Sequence, residues 1–482
     1  MNLNLKIAKM MENNLKVIRI ADYQNDKVIE NIESLLSDLQ FISDRTIKDL
    51  HEKENILVFP YTLNQHKDDI GKCMVCSLNN NKLSTGDILG FVGKNNTLLN
   101  IHSRFAKGDE EDFFMHYMLE KVFKINLFDL KYSTSNDGVF DFLPYLFPHF
   151  LKKALGQGLF KQYVRHKYND ANVRGTIDVQ RHIKYNIPFN GKIAYNVKEY
   201  CYDNDITQLI RHTIEYIRSS SMSAALKCDT ETIECVSQIC NATPTYKAQD
   251  RSKVIGKNLK ALTHPYYTEY KILQKLCLQI LNHKKIKYGK SDNDKKVYGV
   301  LFSGSWLWEE YLYESFIQKC GFKHPQNKAG KGSIYLFEKN ENNNIDNVEY
   351  EDESEDYTSK LSRCRRYPDY IKDNVVLDAK YKNLKNNKID RNDMHQVISY
   401  MYVEQAKIGG FIYPYSLNND SKKSEYVTRI GELRGYGGCI YNIKVPIPNM
   451  HGEYKYLDFR NAMQEIEKDL ITNIENLCTQ QN

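Results

Sequence analysis

The sequence predicts an α/β protein, with a mixed central sheet flanked by helices in the C-terminal part, a β-rich N-terminal domain and a helical middle region. Three observations lead to this prediction. The chain of 482 residues is too long for a single core. Short apolar runs typical of strands are concentrated between residues 56 and 105. After residue 296, helical and strand-like segments follow one another.

The N-terminal part combines helices with short strands. Residues 1 to about 54 are predicted to be helical, because apolar residues recur at helical spacing, as in Ile32, Leu35, Leu36 and Leu39. Strand-like runs follow at 56–60 and 72–78. Residues 87–105 predict a hairpin whose turn chemistry is supplied by Gly93, Asn95 and Asn96. Residues 111–157 are again predicted to be helical.

The middle region begins with a second predicted hairpin, at residues 161–183, with Asn169 and Asp170 near its tip. Both hairpins carry several Arg, Lys and His residues, which suit either solvated strand faces or a surface for nucleic acid or a partner. Residues 203–283 are predicted to be mostly helical, opening on an Asp/Asn cap. The lysine-rich stretch 283–296 indicates a boundary. The predicted domains are therefore 1–160, 161–295 and 296–482.

The third domain is predicted to contain a helix at about 304–319, a strand at 333–338, two strands around 366–372 and 374–382, a helix at about 393–406 and a strand at 409–416. A further strand near 437–445 and a final amphipathic helix at about 457–478 complete it. The acidic segment at about 338–360 lies between two of these strands and is too polar to bury, so it is expected to form a loop.

Charge and composition limit the kinds of partner and the cellular compartment that we expect for the protein. The net charge of +6 includes the dense run of acid in the acidic segment, so the remainder of the chain is clearly basic and suits a polyanion such as DNA. No stretch approaches the roughly 18 apolar residues of a membrane span, and no secretion signal opens the chain. Eleven scattered cysteines are expected to be reduced, in a cytoplasmic protein.

Two aspartates and a lysine fall in a predicted hairpin with the sequence RYPDYIKDNVVLDAKYK, residues 366–382. The apolar run at 375–377 is typical of a strand covered on both faces. Asp378 and Lys380 are two residues apart and must share a face. A short turn around Asp373 and Asn374 brings Asp369 alongside. The sequence therefore predicts a pair of carboxylates with an ammonium beside it.

Two carboxylates in a partly dry site repel each other unless a cation is present. A hard divalent ion such as Mg²⁺ prefers carboxylate and water oxygens and leaves positions for a phosphate. Lys380 could then polarise an attacking water or neutralise charge on the phosphate. A structural alternative stays open at this point: Asp369 could simply end a strand after Pro368, and Asp378 could form a surface ion pair with Lys380.

The motif Pro368-Asp369 followed by Asp378-Ala379-Lys380 is similar to the signature of PD-(D/E)XK nucleases. More narrowly, the chain resembles McrC, the nuclease subunit of McrBC-type and LlaJI-like restriction systems. The segments that carry this resemblance are LFSGSWLWEEYL (301–312), RYPDYI, VVLDAKYK and DMHQVISYMYV (393–403), with looser similarity in VRGTIDVQRHI (173–183) and in residues 88–105.

The resemblance implies a catalytic trio of Asp369, Asp378 and Lys380, with Glu309 assisting the aspartates in metal binding. Gln396 and Tyr400 share one helix face and resemble the QxxxY motif of RecB-like nucleases. Simpler alternatives exist for these helical residues. Glu309, or its neighbour Glu310, could be an exposed acid, Asp393 and Gln396 could form a capping box, and Tyr400 could be a core residue.

The resemblance further implies a DNA endonuclease subunit of a GTP-dependent, modification-dependent, type IV-like restriction system, with Mg²⁺ as cofactor. Its partners would be double-stranded DNA and a McrB-like AAA+ GTPase hexamer, which uses the GTP, because this chain has no phosphate-loop motif. The N-terminal half would dock into that ring, with hairpin 87–105 as the inserted element or as a plain barrel hairpin. The alternatives are a non-catalytic adaptor of the GTPase and a stand-alone repair nuclease.

Overall fold

The computed structural model describes most of the chain, in separate stretches. These are residues 16–29, 35–61, 70–95, 97–106, 112–125, 143–287, 297–325, 334–337, 365–382, 389–416, 426–435, 437–450 and 455–479. The predicted acidic loop at 338–360 and two residues used in the predictions above, Ile32 and Asn96, lie outside these stretches. The described residues form a mixed α/β structure, as predicted.

The N-terminal part contains strands and helices in alternation. The strands are β1 (Lys16–Ala21), β2 (Lys27–Val28), β3 (Asn55–Phe59), β4 (Cys76–Asn79), β5 (Lys82–Thr85), β6 (Ile88–Lys94) and β7 (Thr97–His102). The helices are α1 (Leu36–Ser43), α2 (Ile47–Lys53), α3 (Phe113–Phe123) and α4 (Leu143–Gly156). The helical prediction for 111–157 is thus confirmed in its described stretches, at Phe113–Phe123 and Leu143–Gly156, and so is the strand at 56–60.

The predicted helix over the first 54 residues is wrong at residues 16–21, which form β1. Its side chains alternate, with Ile18 and Ile20 buried and Lys16 exposed, which is the period of a strand. The strand pairs in parallel with β7. The helical prediction is confirmed further along, in α1, where Leu39 and Ile42 are fully buried, and in α2, where Ile47 and Leu50 are.

The predicted hairpin at 87–105 is confirmed as β6 and β7, which pair antiparallel around Asn95 with its positive φ. It is not a projecting element. Every residue of β6 is buried, because β6 lies between β7 and β11 (Val297–Ser303) in a five-stranded sheet of order β1-β7-β6-β11-β3. Of the predicted turn residues, Gly93 belongs to β6, where a Cβ would lie 2.3 Å from the Tyr298 ring.

The middle region pairs its strands differently from the prediction. It contains β8 (Gln162–Asp170), β9 (Thr176–Ile177), α5 (Val179–Asn186) and β10 (Ile193–Cys201), followed by α6 (Asp205–Arg218), α7 (Thr230–Ala242), α8 (Arg251–Lys257) and α9 (Thr268–Lys287). The predicted hairpin within 161–183 is wrong, because the partner of β8 is β10 and residues 179–186 are helical. The helical content of 203–283 is confirmed, with Asn204 forming the predicted cap.

The C-terminal part follows the predicted order closely. After β11 come α10 (Gly304–Leu312), a π-helical turn (Tyr313–Ile317), β12 (Ile334–Tyr335), β13 (Arg365–Arg366), β14 (Tyr370–Lys372), β15 (Val375–Ala379), α11 (Arg391–Glu404), β16 (Ile408–Ser416), β17 (Val427–Glu432), β18 (Cys439–Ile447) and α12 (Tyr456–Thr479). Strand β17 was not predicted.

The C-terminal sheet is mixed and has the order β14-β15-β16-β18-β17. The β15-β16 and β16-β18 pairs are parallel, and the two outer pairs are antiparallel. One correction concerns the predicted strand at 366–372. It is broken at Pro368, which cannot donate to a ladder, and its two halves join different sheets, since β13 pairs with β12.

The predicted boundary near residue 296 stays a prediction, but the strand that follows it belongs to the first sheet. Strand β11 pairs with β6 on one side and β3 on the other. One of the three hydrophobic clusters formed by the described residues extends from Leu57 in β3 to Leu477 in α12. Within the described residues, none of the helices combines the length and the apolar character that crossing a bilayer requires.

Candidate functional site

The β14-β15 hairpin brings the two predicted aspartates together. Its register pairs Tyr370 with Leu377, and one further step of the same register places Asp369 opposite Asp378. Directly opposite residues of an antiparallel pair point to one face, with their Cβ atoms about 4.5–5.5 Å apart. The turn that sets this register is Asp373-Asn374, in which Asp373 has a φ of 44°. The predicted juxtaposition is therefore observed.

Strand β15 is buried on both faces and separates its side chains between two environments. Val375 and Leu377 join the large core, whereas Val376 packs with Val397 and Met401 of α11. By the same alternation Asp378 and Lys380 face the side of α11, as predicted. The amide of Lys380 continues the ladder beyond β15, donating to the carbonyl of Ile412 at 2.8 Å.

Asp369 lies just before β14 and is 8% exposed. Its Oδ2 accepts a hydrogen bond of 2.7 Å from the amide of Ala379, which fixes the carboxylate against the end of β15. Burial raises the pKa of Asp369 well above its ordinary range, and the negative charges of Glu309 and Asp378 raise it further. Asp369 is thus a carboxylate whose ionised form is stabilised poorly by the protein alone.

Asp378 is 2% exposed, and its Oδ2 lies 2.8 Å from the Nζ of Lys380. Burial raises the pKa of Asp378, although the ion pair with Lys380 opposes that shift. The alternative of a surface ion pair is wrong, because both partners are largely removed from solvent. The two aspartates and the lysine therefore form a desolvated charge cluster.

Lys380 is surrounded by acceptors. Besides Asp378, its Nζ donates to Oε1 of Gln396 at 3.0 Å and lies 3.4 Å from Oδ1 of Asp393. Burial favours the neutral amine, but the charges of Asp378 and Asp393 outweigh it and raise the pKa of Lys380 above its usual value. The lysine is thus held as an ammonium.

The predicted pair on α11 lies at the site. The Nε2 of Gln396 donates to the hydroxyl of Tyr400, and that hydroxyl donates to the carbonyl of Tyr367 at 3.0 Å. Tyr367 is two residues before Asp369, so the pair connects Lys380 with the segment that carries the first aspartate. The capping-box alternative is wrong, because the helix is capped by Asp390, which accepts from the amide of Asn392.

Glu309 lies on α10 beside the acid pair. Its backbone carbonyl accepts a hydrogen bond of 2.7 Å from the Tyr370 hydroxyl, and its charge contributes to the raised pKa of Asp369. Glu310 is distinguished from it by a hydrogen bond of 3.1 Å from Nε1 of Trp306. No three His, Cys, Asp or Glu side chains of the described residues lie close enough together to hold a metal. The site therefore offers a metal two carboxylates, with Glu309 as a nearby charge.

Two residues at the site were not among the predicted site residues. Asp393 contacts both Lys380 and Lys382, at 3.4 Å and 2.8 Å. Tyr381 points to the other face of the hairpin, where its hydroxyl lies 3.2 Å from Oγ of Ser103. The signal for Asp393 was present, because it lies three residues before Gln396 and so shares its helix face. No local signal indicates Tyr381, whose contacts depend on long-range folding.

A sequence family described as "McrBC 5-methylcytosine restriction system component" matches residues 83–414. No curated protein sequence matches. One similar solved chain belongs to a refined half-complex from a tetradecameric assembly of Thermococcus gammatolerans McrB AAA+ hexamers with bound McrC. It is 16% identical, has a TM-score of 0.47 and covers 94% of this chain and 100% of its own. A chain of the Thermococcus gammatolerans McrBC complex is 15% identical, has a TM-score of 0.29 and covers 62% of this chain and 86% of its own.

Proposed function

The chain belongs to the McrBC restriction-system family, and from this premise we propose that it is the DNA endonuclease subunit of a GTP-dependent, modification-dependent restriction system. The observation that carries the proposal is the buried cluster of Asp369, Asp378 and Lys380. Burying two carboxylates side by side is costly for stability. A merely structural role gives no physical reason to keep both, whereas catalysis on a phosphodiester does.

The acid pair fits a hard divalent cation such as Mg²⁺. Both carboxylates are desolvated and raise each other's energy when ionised, and a bound cation would relieve that repulsion. Asp369 and Asp378 are the residues that would hold it, with Glu309 adding negative charge nearby. When bound, Mg²⁺ would lower the pKa of a water molecule and stabilise negative charge on the scissile phosphate.

The other residues of the site would orient the attacking water and neutralise charge on the phosphate. Lys380 is held as an ammonium by Asp378, Asp393 and Gln396, so it can orient an attacking water and balance charge that develops on the phosphate. Gln396 and Tyr400 connect Lys380 to the carbonyl of Tyr367 through a chain of hydrogen bonds. This chain fixes the segment that carries Asp369 relative to the segment that carries Asp378. This division of roles corresponds to the core of a PD-(D/E)XK nuclease, which we propose for residues 296–482, with β14-β15-β16-β18-β17 as its central sheet.

We further propose that the chain docks on a McrB-like AAA+ GTPase ring through the β8-β10 ribbon, defined here as residues 161–202. The ribbon carries eight lysines and arginines and three acidic residues, a net charge of +5, whereas the net charge of the whole chain is +6. From β9 to the start of β10, the ribbon exposes five large aliphatic or phenyl side chains: Ile177, Val179, Ile183, Ile187 and Phe189. Apolar side chains exposed together indicate a protein interface. Hairpin 87–105 is less suited to this role, because β6 is buried throughout.

One paired experiment tests both proposals. With a co-purified GTPase partner, Asp378→Ala should abolish Mg²⁺-dependent cleavage of methylated DNA and leave stimulated GTP hydrolysis intact. The double variant Phe189→Asp and Ile183→Asp should instead reduce formation of the complex with the GTPase, and with it the stimulation of GTP hydrolysis. Asp373→Asn, in the turn of the same hairpin, is the control for the first variant, because Asn tolerates the positive φ of that position.

The outcomes separate the alternatives. Undiminished cleavage by the Asp378→Ala protein would refute the site assignment. If the wild-type complex stimulates GTP hydrolysis but never cuts methylated or unmethylated DNA, the chain is an adaptor. Cleavage that requires neither GTP nor a partner would indicate a stand-alone nuclease.

A further inference from the structure

We propose that Asp393 is a positioning residue for Lys380, holding the ammonium in place independently of the acid pair. The proposal rests on the proposed nuclease function only for its kinetic readout. Asp393 is 9% exposed and lies in the first turn of α11. Its two oxygens contact different lysines, with Oδ1 3.4 Å from the Nζ of Lys380 and Oδ2 2.8 Å from the Nζ of Lys382.

The helix does not account for this buried carboxylate. The cap of α11 is Asp390, whose side chain accepts from the amide of Asn392. An acid in the first turn gains about 0.3–1 kcal/mol from the helix dipole, but an exposed side chain gains it as well. Asp393 is instead turned inward, toward the end of β15. Its position is therefore explained by the two lysines that it contacts.

The contacts of Lys380 show why a second carboxylate is needed. Its ammonium donates a hydrogen bond to Gln396 and forms ion pairs with Asp378 at 2.8 Å and with Asp393 at 3.4 Å. Asp378 also belongs to the acid pair proposed to hold a cation. An oxygen shared with a cation would attract the ammonium less, and the cation itself would repel it. Asp393 is the carboxylate around Lys380 that stands outside the acid pair, so it can retain the lysine in either state.

Lys382 fixes the orientation of the Asp393 carboxyl group. It reaches the second oxygen of Asp393 from an exposed position and so directs the first oxygen toward Lys380. Lys380 and Lys382 follow the end of β15 and meet at Asp393, which contacts both. Asp393 thus links α11 to the end of the catalytic strand at two points, and rotation of its carboxyl group away from Lys380 would break both contacts.

The test uses Asp393→Asn, which keeps the shape of the side chain and removes its charge. We expect kcat for DNA cleavage by the complete complex to fall by about 10–100-fold, as is typical when a group orienting a ligand or catalytic residue is lost, with KM for DNA little changed. Asp390→Asn is the matched control, since Asn also caps helices and Asp390 caps α11. Asp393→Glu retains a carboxylate and should recover most of the lost kcat.

A second readout needs neither metal nor activity. In a crystal structure of the metal-free Asp393→Asn protein, we expect the Nζ of Lys380 to move out of hydrogen-bond distance of Gln396, from the 3.0 Å of the wild-type chain. A lysine that stays in place, or an Asp393→Glu protein as slow as the Asn variant, would overturn the proposal. Should the wild-type complex never cut DNA, the position of Lys380 in the metal-free Asp393→Asn protein still decides the role of Asp393.

Discussion

Replacing Asp369 with asparagine should stabilise the metal-free protein while abolishing its proposed activity. The substitution removes one of two negative charges that face each other across the β14-β15 hairpin. An asparagine oxygen can still accept the hydrogen bond that Ala379 donates to Asp369. The repulsion is therefore relieved while the local hydrogen bonding is kept.

The size of the effect follows from the register. Extending the register by one residue puts Asp369 opposite Asp378, with Cβ atoms about 5 Å apart, and we take that separation as the scale for the two charges. With an effective dielectric constant of about 20, two like charges at that distance repel by about 3 kcal/mol. Lys380, whose ammonium is 2.8 Å from Asp378, offsets part of this energy. We expect the free energy of unfolding of Asp369→Asn to exceed that of the wild-type protein by about 1–3 kcal/mol at pH 8.

The pH dependence has a defined sign. Burial and neighbouring charge raise the pKa of Asp369 in the folded state above its unfolded value. A raised carboxyl pKa means that the folded state binds the proton more tightly, so the wild-type protein loses stability as the pH rises through the folded pKa. The advantage of the variant should therefore be smaller at pH 5 than at pH 8.

The assay is equilibrium urea unfolding in the presence of a chelator, at both pH values. Asp373→Asn makes the same chemical change in the turn of the same hairpin, where Asn tolerates the observed positive φ, and should leave stability unchanged. Adding Mg²⁺ should stabilise the wild-type protein more than Asp369→Asn. An Asp369→Asn protein that is no more stable than the wild type at pH 8 would show that the two carboxylates do not repel each other.

Two further predictions concern buried polar groups. Tyr400→Phe removes the hydroxyl that donates to the carbonyl of Tyr367, so it should destabilise the protein by about 1–3 kcal/mol in urea and slow DNA cleavage. Burial raises the pKa of Asp112 from 3.8 to about 6, so the wild-type protein should lose about 2–3 kcal/mol of stability as the pH rises across that window, at 1.36 kcal/mol for each pH unit. Asp112→Asn should lack this loss when thermal or urea unfolding is followed between pH 4 and pH 6.5.

The site was largely predictable because its geometry is local. Asp378 and Lys380 share a face by the period of a strand, and Asp369 reaches them through a two-residue turn. Gln396 and Tyr400 share a face by the period of a helix. Strand and helix periods are properties of the backbone, so the shared faces within each element need no knowledge of the remaining chain, whereas the contacts of α11 with the hairpin depend on how the two pack.

The prediction failed where pairing depends on distant segments. Residues 16–21 became a strand because β7, some eighty residues later, supplies a parallel partner. Strand β8 was expected to pair within residues 161–183, yet its partner begins at Ile193. Nothing within either segment identifies its partner, since apolar alternation specifies which face is buried and not which edge is adjacent.

The same alternation that builds the site also connects it to the N-terminal sheet. Because Lys380 faces α11, the next residue, Tyr381, must face the opposite side, and there its hydroxyl lies 3.2 Å from Oγ of Ser103. The guanidinium of Arg104 lies 4.8 Å from the ring of Tyr381 and is itself held by the buried Asp22, which directly follows β1. Strand β11 adds a covalent connection, since it pairs in the centre of the first sheet and leads directly into α10. A displacement of β1 or β7 would therefore act on Lys380 through its immediate neighbour, Tyr381.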